Sequence, residues 1–177
     1  GFPSAVAFGE GRLWWFGRDR AWASISDAFN SFDDAFEGDA GPISRSIGSG
    51  PVAKIRWAIA AKRILLGADA DVFQIYSSSL DEPLTPTNFN IDRIDTPGAG
   101  VANVNAIRSG TSAVYVQQSG QRVYEATVGD NGYDYQAVDL TVHVPEIGEP
   151  AIVKIVEQNQ PERRRHCIRS DGTVGVY

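Results

Sequence analysis

The chain carries few residues of the types that perform nucleophilic or metal chemistry. Its 177 residues include two histidines, His143 and His166, and one cysteine, Cys167. A single cysteine forms neither an intrachain disulfide nor a cysteine-based metal cluster. His166 and Cys167 are neighbours in a predicted strand, so their side chains point to opposite faces and cannot act as a catalytic dyad. A zinc site on the two histidines would need carboxylates to complete it, and we interpret Cys167 as a small buried apolar residue.

Carboxylates are the other candidates, because paired acids hydrolyse glycosidic bonds. The clusters are Asp33-Asp34, Asp69 with Asp71, Asp81-Glu82, and Asp130 with Asp134. All fall in loops that contain Gly, Pro or Ser, where acids usually form turns through local hydrogen bonds. Segment 130–134 resembles a short calcium loop but lacks the closing Glu at the required distance. Since no Gly-rich phosphate loop is present either, the sequence predicts no catalytic, cofactor-binding or metal-binding residue and no enzymatic activity.

Charge and hydropathy exclude two further classes. The net charge of −6 argues against nucleic-acid binding over the whole surface. The one basic cluster is Arg163, Arg164 and Arg165, which we predict to be a solvated turn between strands; a local contact with DNA or an acidic neighbour is the alternative. No apolar run is long enough for a transmembrane helix, and no signal peptide pattern occurs. Because the chain has no methionine, we expect it to be a piece of a longer protein.

The elements that would position any site follow a four-fold repeat. One strand–turn–strand pattern recurs at Leu13, Leu65, Val114 and His166, with spacings of 52, 49 and 52 residues. A period of about 50 residues is typical of β-propeller blades, which have four strands each. We therefore predict an all-β fold of β-propeller-like blades, each of four antiparallel strands, in a partial propeller of three to four blades.

The predicted blades belong to a single repeat domain. They occupy residues 1–50, 51–100, 101–148 and 149–177, with boundaries near Gly50, Gly100 and Gly148 and with the fourth blade one strand short. Strands are predicted, among other places, at residues 12–17, 55–60, 72–77 and, by alternation, 136–144, with His143 on the polar face of the last. Residues 27–36 have aromatic side chains at helical spacing and predict a short inserted helical turn.

One set of apolar side chains is predicted to be buried between neighbouring blades. Its members are Trp14, Phe16, Leu65, Val114 and Val116. Trp15 should lie on the opposite face of its strand from Trp14. An array of three and a half blades leaves an exposed edge and an uncovered apolar face, so we expect the chain to self-associate or to pack as a compact partial propeller.

Several short motifs, in order along nearly the whole chain, resemble one known family. They are residues 3–17 (PSAVAFGEGRLWWFG), 29–32 (FNSF), 55–57 (IRW), 63–67 (RILLG), 84–88 (LTPTN), 106–117, 122–125 (RVYE), Tyr135, 139–141 (DLT) and 169–173 (RSDGT). The family is the tail tubular or nozzle-type protein of short-tailed phages, also described as a DNA-stabilisation protein. The chain departs from the family in lacking the remaining blades of a closed propeller and the platform segments for ring assembly.

The resemblance implies a structural part of the virion tail that acts in assembly and DNA passage. It implies a ring, usually a hexamer, around the channel through which DNA leaves the capsid without sequence-specific binding. Neighbouring tail proteins would be the other partners, with no membrane and no cofactor, and the host cytoplasm would be the site of assembly. The family carries no catalytic residues to transfer. An acidic surface suits a DNA conduit because like charge prevents sticking.

Two other functional classes remain open at this point. A glycan-binding or glycan-cleaving propeller would need acids and aromatic residues that converge on one face, whereas Trp14, Trp15, Trp22 and Trp57 lie mostly in predicted strands, where core packing is the expected role. A generic protein-interaction scaffold is compatible with the composition, although the Gly-His and Trp-Asp signatures of WD repeats are absent.

Overall fold

The computed structural model describes residues 2–47, 54–79, 82–96 and 100–177. Within these residues the chain forms fifteen strands in four antiparallel sheets, and the only helical element there is one short 3-10 turn, Pro145–Gly148. The all-β class is therefore confirmed. Three of the sheets have four strands and the last has three, and every sheet is open, not closed into a barrel.

Each sheet is built from strands that are consecutive in sequence and consecutive in space. Sheet 1 contains β1 (Ala5–Gly9), β2 (Arg12–Gly17), β3 (Arg20–Ala23) and β4 (Ile43–Ser46). Sheet 2 contains β5 (Ile55–Ala60), β6 (Ile64–Ala68), β7 (Val72–Ser77) and β8 (Phe89–Arg93). Sheet 3 contains β9 (Ile107–Ser109), β10 (Ser112–Val116), β11 (Val123–Val128) and β12 (Tyr135–Asp139), and sheet 4 contains β13 (Ile152–Gln158), β14 (Arg164–Arg169) and β15 (Val174–Val176). The strands predicted at 12–17, 55–60 and 72–77 have the bounds expected from their apolar and aromatic content.

The backbone register corrects one step of the repeat alignment. In each sheet the second strand leads into a hairpin. The position that is equivalent from repeat to repeat lies three residues before the last residue ahead of the turn whose backbone is paired across the hairpin. Those positions are Trp14, Leu65, Val114 and His166. Leu13 lies on the other face of β2, opposite Phe8. The sequence pattern was out by one residue in the first repeat because β2 has apolar side chains on both faces.

Sheets that follow one another in sequence pack face to face. We call the side of a sheet that points toward the next sheet its forward face, and the other side its rear face. Trp14 and Phe16 on the forward face of sheet 1 share a core with Ile64 and Leu66 of sheet 2. A second core joins sheets 2 and 3, and a third joins sheets 3 and 4.

The predicted buried set behaves as expected. Trp14, Phe16, Leu65 and Val114 are fully inaccessible to solvent and Val116 is nearly so. Trp15 lies on the opposite face of β2 from Trp14 and is 37% exposed. The cores thus account for the continuous burial along β6 and β10, since each of these strands has a neighbouring sheet to pack against on both faces.

The first strands of sheets 1 and 2 lie together, as do the first strands of sheets 3 and 4. β1 lies against β5, and β9 lies against β13. The Ser4 hydroxyl donates a hydrogen bond of 2.6 Å to the carbonyl of Ile55. Residues 4–6, 56–58 and 105–106 line one cavity of about 320 Å³, so the starts of sheets 1 and 2 and the approach to sheet 3 converge there.

Two sequence predictions about the connections are wrong. Residues 27–36 form turns and no helix. Separate local hydrogen bonds close these turns, as when the Ser31 amide donates to the carbonyl of Ala28 at 2.9 Å, and the Asp27 amide donates to the distant carbonyl of Gly11 at 2.9 Å. The strand predicted at 136–144 ends at Asp139. There the Asp139 carboxylate accepts hydrogen bonds from the backbone amide and hydroxyl of Thr141, both at 2.7 Å, which bends the chain away from the sheet. His143 therefore lies outside any strand.

Of the three boundary glycines, Gly50 lies outside the described residues. Gly100 has φ +59° and approaches the carbonyl of Asp69 so closely that a Cβ would meet that oxygen at 1.8 Å. A Cβ on Gly148 would meet the carbonyl oxygen of Gln121 at 1.7 Å. Both glycines are therefore required where a connecting segment crosses the backbone of a hairpin. Among the described residues, no helix has the length and apolar character needed to cross a bilayer.

Candidate functional site

The rear face of sheet 1 is an apolar surface that the described residues cover only in part. Cross-strand pairing places Val6, Trp15 and Trp22 side by side on it, and Phe8 opposite Leu13. Val6 is 48% exposed and Phe8 is 65% exposed. On the inner sheets the corresponding face packs against the preceding sheet, so this arrangement of side chains suits contact with another apolar surface.

The connection between β3 and β4 folds partly over this face. Phe29 packs edge-on against Phe8, with 5.6 Å between the ring centroids. Pro3, Trp15, Trp22 and Phe32 line an open groove of about 490 Å³. The aromatic spacing that predicted a helix in this connection instead reflects side chains that cover neighbouring rings on the sheet.

Arg12 holds this connection in place. Its guanidinium donates hydrogen bonds to the carbonyls of Ser24 at 2.7 Å, Asp39 at 2.8 Å and Gly41 at 2.6 Å. The side chain is almost fully buried. Burial lowers the pKa of Arg12 from its ordinary value and the charge of Asp27 partly opposes that effect. Residues 24–42 lack regular secondary structure, and hydrogen bonds from the charged Arg12 side chain satisfy backbone carbonyls that a helix or sheet would otherwise satisfy.

The forward face of sheet 4 is the second uncovered surface. Pairing aligns Val156, His166 and Val176 in one row across the sheet, and Ile168 and Val174 in the next. Three valines on this face are between 41% and 52% exposed (Val156, Val174 and Val176). This face lies at the other end of the stack of sheets from the rear face of sheet 1.

The arginine cluster matches the predicted solvated turn only in part, since Arg163 is exposed and precedes β14. Arg164 and Arg165 lie in β14, and all three arginines pair with carboxylates. Arg165 contacts Glu125 at 3.1 Å and Glu157 at 3.2 Å, while Arg163 contacts Glu157 at 3.2 Å. This network joins sheet 4 to sheet 3, so Arg165 stabilises the contact between two sheets.

Glu157 is the centre of that network. Its side chain is only 8% exposed, and the Ser109 hydroxyl donates to it at 2.9 Å. Burial alone would raise the pKa of Glu157. Hydrogen bonds from Ser109, Arg163 and Arg165 outweigh burial and hold that pKa below its ordinary value. Glu157 is therefore a charged side chain whose hydrogen bonds and ion pairs are all made within the protein.

Acidic residues of the predicted clusters form ion pairs and local turns in the structure. Asp69 pairs with Arg56, and Asp134 pairs with Arg63 at 3.1 Å. In segment 130–134 the Asn131 side-chain oxygen accepts the backbone amides of Tyr133 and Asp134, which is the local turn expected from its composition. Asp81 lies outside the described residues. Within the described part of the chain, His, Cys, Asp and Glu side chains do not gather into any group that could hold a metal ion.

The neighbours His166 and Cys167 point to opposite faces, as predicted. Cys167 is fully buried between sheets 3 and 4, and burial raises the pKa of its thiol to about 11. The His166 ring lies on the other face, 3.1 Å from the side-chain oxygen of Gln158. Cys167 is thus held in its neutral thiol form in the core.

The tryptophans divide into two classes. Trp14 and Trp57 are buried, as predicted for core residues, but Trp15 and Trp22 line the open groove. Strand parity separates Trp15 from Trp14, as predicted, and the cross-strand partner Trp22 shares the face of Trp15, which the sequence analysis did not predict.

Comparison with models of known families finds none that matches this chain, and comparison with curated proteins finds no matching relative.

Proposed function

We infer that this chain is the β-propeller portion of a non-catalytic component of a short-tailed phage tail, which serves in virion assembly and in the passage of DNA. The sequence resemblance supports this role because its motifs run in order along nearly the whole chain. The single structural observation that carries the inference is the convergence of the first strands. Residues of β1, β5 and the approach to β9 line one cavity, which is the arrangement that blades adopt around a common axis.

The stack of sheets supports a role in assembly. Each of sheets 1, 2 and 3 packs its forward face on the rear face of the next. Repeats of this kind contact only their neighbours and leave the two terminal faces uncovered. Those terminal faces are apolar, as a subunit of a larger assembly requires. In this proposal the full-length protein forms a ring, usually a hexamer, in the virion tail, assembles in the host cytoplasm and contacts neighbouring tail proteins, with no membrane.

The negative net charge and the internal pairing of the arginine cluster support passage of DNA without binding. The chain has a net charge of −6. Arg163, Arg164 and Arg165, which could have offered a phosphate contact, pair with Glu157, Glu162 and Glu125. A surface of this kind repels a polyanion and lets it slide.

The experiment that tests the proposal is electron microscopy of the full-length parent protein. Closed rings with a central channel, and detection of the protein in purified virions, are the expected results. A full-length protein that is monomeric and absent from virions would overturn the proposal. Portal and other tail genes beside the parent gene are also expected, which offers a check before any protein is made.

A glycan-binding role is the second candidate, favoured by the groove at Trp15 and Trp22. Adjacent exposed aromatic rings can stack on the apolar faces of sugar rings. A titration of tryptophan fluorescence with host-surface oligosaccharides, comparing the chain with its Trp22→Ala variant, separates the two candidates. A saturable change that the variant loses supports glycan binding, whereas an unchanged spectrum supports the structural role.

A further inference from the structure

A small cavity of about 130 Å³ lies where sheets 1, 2 and 3 meet. The turn between β1 and β2 contributes Glu10, the turn between β5 and β6 contributes Lys62 and Arg63, and the connection between β11 and β12 contributes Tyr133. The cavity is therefore formed by the contact of neighbouring sheets and not by either end of the stack.

The basic and aromatic side chains of its wall hold one another in place. The Arg63 side chain is only 10% exposed, and its Nη1 donates to the side-chain oxygen of Gln74 at 2.7 Å and to Asp134 at 3.1 Å. The central carbon of its guanidinium group lies 4.3 Å from the ring centroid of Tyr76, which is a cation–π contact. The Tyr76 hydroxyl donates in turn to the Asp92 carboxylate. A wall that is fixed in this way lowers the entropic cost of binding a ligand.

The remaining polar groups of the cavity offer both acceptors and donors. Within the described part of the chain, the carboxylates of Glu10 and Glu82 have no hydrogen-bond or ion-pair partner. Lys62 Nζ donates to the carbonyl of Gly132 at 2.8 Å, and its ammonium group has further N–H donors. An anion would meet the two carboxylates, and a cation would meet Lys62 and the adjacent Arg63. A ligand with several hydroxyl groups can donate to the carboxylates and accept from Lys62 at the same time.

The backbone at Glu10 is an independent sign that this side chain has a role. Glu10 has φ +54° and Gly11 has φ +66°, so both lie in the left-handed region. Two-residue hairpin turns of this kind favour Asn or Gly at the first position, because other side chains are strained there. The turn thus gives up stability at a position whose side chain lines the cavity, as happens at functional sites.

We propose that this cavity binds one neutral sugar residue, whose hydroxyl groups donate to Glu10 and Glu82 and accept from Lys62. A single small ring fits, because the volume of about 130 Å³ is well below the roughly 300 Å³ at which pockets for larger ligands begin. Ile75 and Leu84 are buried side chains in the wall and supply an apolar surface for the C–H face of the ring. The site is separate from the aromatic groove on the rear face of sheet 1, and it does not depend on the virion role.

The test is a titration of the ¹⁵N-labelled 177-residue chain, followed through its backbone amide resonances. The probes are the methyl glycosides of glucose, galactose, mannose and N-acetylglucosamine, with inorganic phosphate and ethylammonium as the two simple ions. At least one glycoside should shift the amides of Glu10, Lys62 and Glu82 saturably, and neither ion should do so at the same concentration. Shifts by no glycoside, shifts confined to Trp15 and Trp22, or tighter binding of either ion overturn the inference.

Two variants test the roles of the acceptors and the donor. Glu10→Asn removes a carboxylate but suits the left-handed backbone, so it should melt no lower than the parent and bind the glycoside at least about tenfold more weakly. Lys62→Met should also weaken binding about tenfold, whereas it would tighten binding of a cation. Glu37→Gln is the matched control and should bind like the parent, because Glu37 is exposed and does not line the cavity.

A Glu10→Asn or Lys62→Met variant that binds the glycoside like the parent overturns the inference. The dispersion of the amide spectrum checks that each variant folds, and Glu82→Gln replaces one that does not. Electron microscopy of the full-length protein tests the virion role independently, so the failure of either proposal leaves the other to be decided by its own measurement.

Discussion

The contacts between sheets 1 and 2 and between sheets 3 and 4 occupy equivalent places in the repeat but are built from different chemistry. Between sheets 1 and 2, Trp14 of sheet 1 stacks on Phe89 of sheet 2, and its neighbour Phe16 in β2 stacks on Trp14 with ring centroids 5.9 Å apart. Between sheets 3 and 4, small apolar side chains share the contact with the ion pairs of Arg165. The repeat fixes which faces meet, while the side chains decide what holds them together.

The difference predicts two kinds of sensitivity. Apolar packing depends on volume and is insensitive to pH, because no titrating group takes part. A buried ion pair adds little to the free energy of unfolding compared with apolar residues of the same shape. Removal of one partner is nevertheless costly, because it leaves the other as an unpaired buried charge. The first contact should therefore respond to truncation of a large side chain, and the second to loss of a charge.

The largest effect is expected for Trp14→Ala. Trp14 is fully buried, and its indole nitrogen donates a hydrogen bond of 3.0 Å to the carbonyl of Gly9. Truncation removes the ring from the core of sheets 1 and 2 and leaves a cavity, so we expect the free energy of unfolding to fall by about 3–5 kcal/mol. Chemical denaturation monitored by circular dichroism measures it.

Trp15→Ala is the matched control for this substitution. Trp15 is the next residue in β2 but is 37% exposed on the rear face, so its loss should cost about 1 kcal/mol or less. If both variants lose the same free energy of unfolding, the two faces of β2 contribute equally to stability, and the assignment of Trp14 to the core between the sheets is contradicted.

The second prediction concerns Arg165→Met, which keeps the length of the side chain but removes its charge. Glu125 then loses its arginine, and Glu157 retains only Arg163 and Ser109. We expect the free energy of unfolding to fall by about 2 kcal/mol, as for the loss of hydrogen bonds to charged groups. Arg164→Met is the control, since the pair of Arg164 and Glu162 is exposed and should contribute about 0–1 kcal/mol. A larger loss for Arg164 than for Arg165 would contradict the proposed role of the network.

The two contacts also differ in how well the sequence predicted them. The recurring apolar and aromatic runs in β2, β6 and β10 predicted the buried set and the all-β class, because a strand-forming run is a local property of the sequence. The network at Glu157 could not be predicted, since Ser109 and Glu125 are 48 and 32 residues away in sequence and no spacing rule joins them. The arginine run predicts either a solvated turn or a contact with an acidic neighbour, and a local charge pattern does not reveal which distant carboxylates are those neighbours.

The uncovered surfaces were predicted only in part. An exposed apolar face followed from the number of repeats, but the exposure of Trp15 and Trp22 did not, since aromatic residues in strands are usually buried. Residues 27–36 do not form the predicted helical turn, although their aromatic spacing fits a helix. The connection that contains them is held by Arg12, which bonds the carbonyls of Ser24 and Gly41 from 12 and 29 residues away, and no local pattern predicts such bonds.

The third prediction is a pH dependence specific to the contact between sheets 3 and 4. The folded-state pKa of Glu157 lies below its ordinary value because Ser109, Arg163 and Arg165 outweigh the effect of burial. A carboxyl group with a depressed folded-state pKa contributes stability that is present above its unfolded-state pKa and is lost as the pH falls through its folded-state pKa. The parent should therefore lose stability below about pH 5, and Glu157→Gln should lose less over the same range. Denaturation midpoints from pH 7 to pH 3 measure this. For Trp14→Ala, the difference in stability from the parent should be nearly independent of pH.

The smallest effect, and the sharpest test of whether the two contacts open separately, is the labelling rate of Cys167. This thiol is fully buried between sheets 3 and 4, with a pKa raised to about 11, so a thiol reagent at pH 8 should react only when that contact opens. Arg165→Met weakens the contact and should raise the labelling rate about tenfold or more, since each 1.4 kcal/mol multiplies the open population by about ten. Trp14→Ala should leave the rate near that of the parent if sheet 4 opens on its own, as expected where repeats contact only their neighbours. Equal acceleration by both variants, in conditions where both remain folded, would show instead that the four sheets open as one cooperative unit.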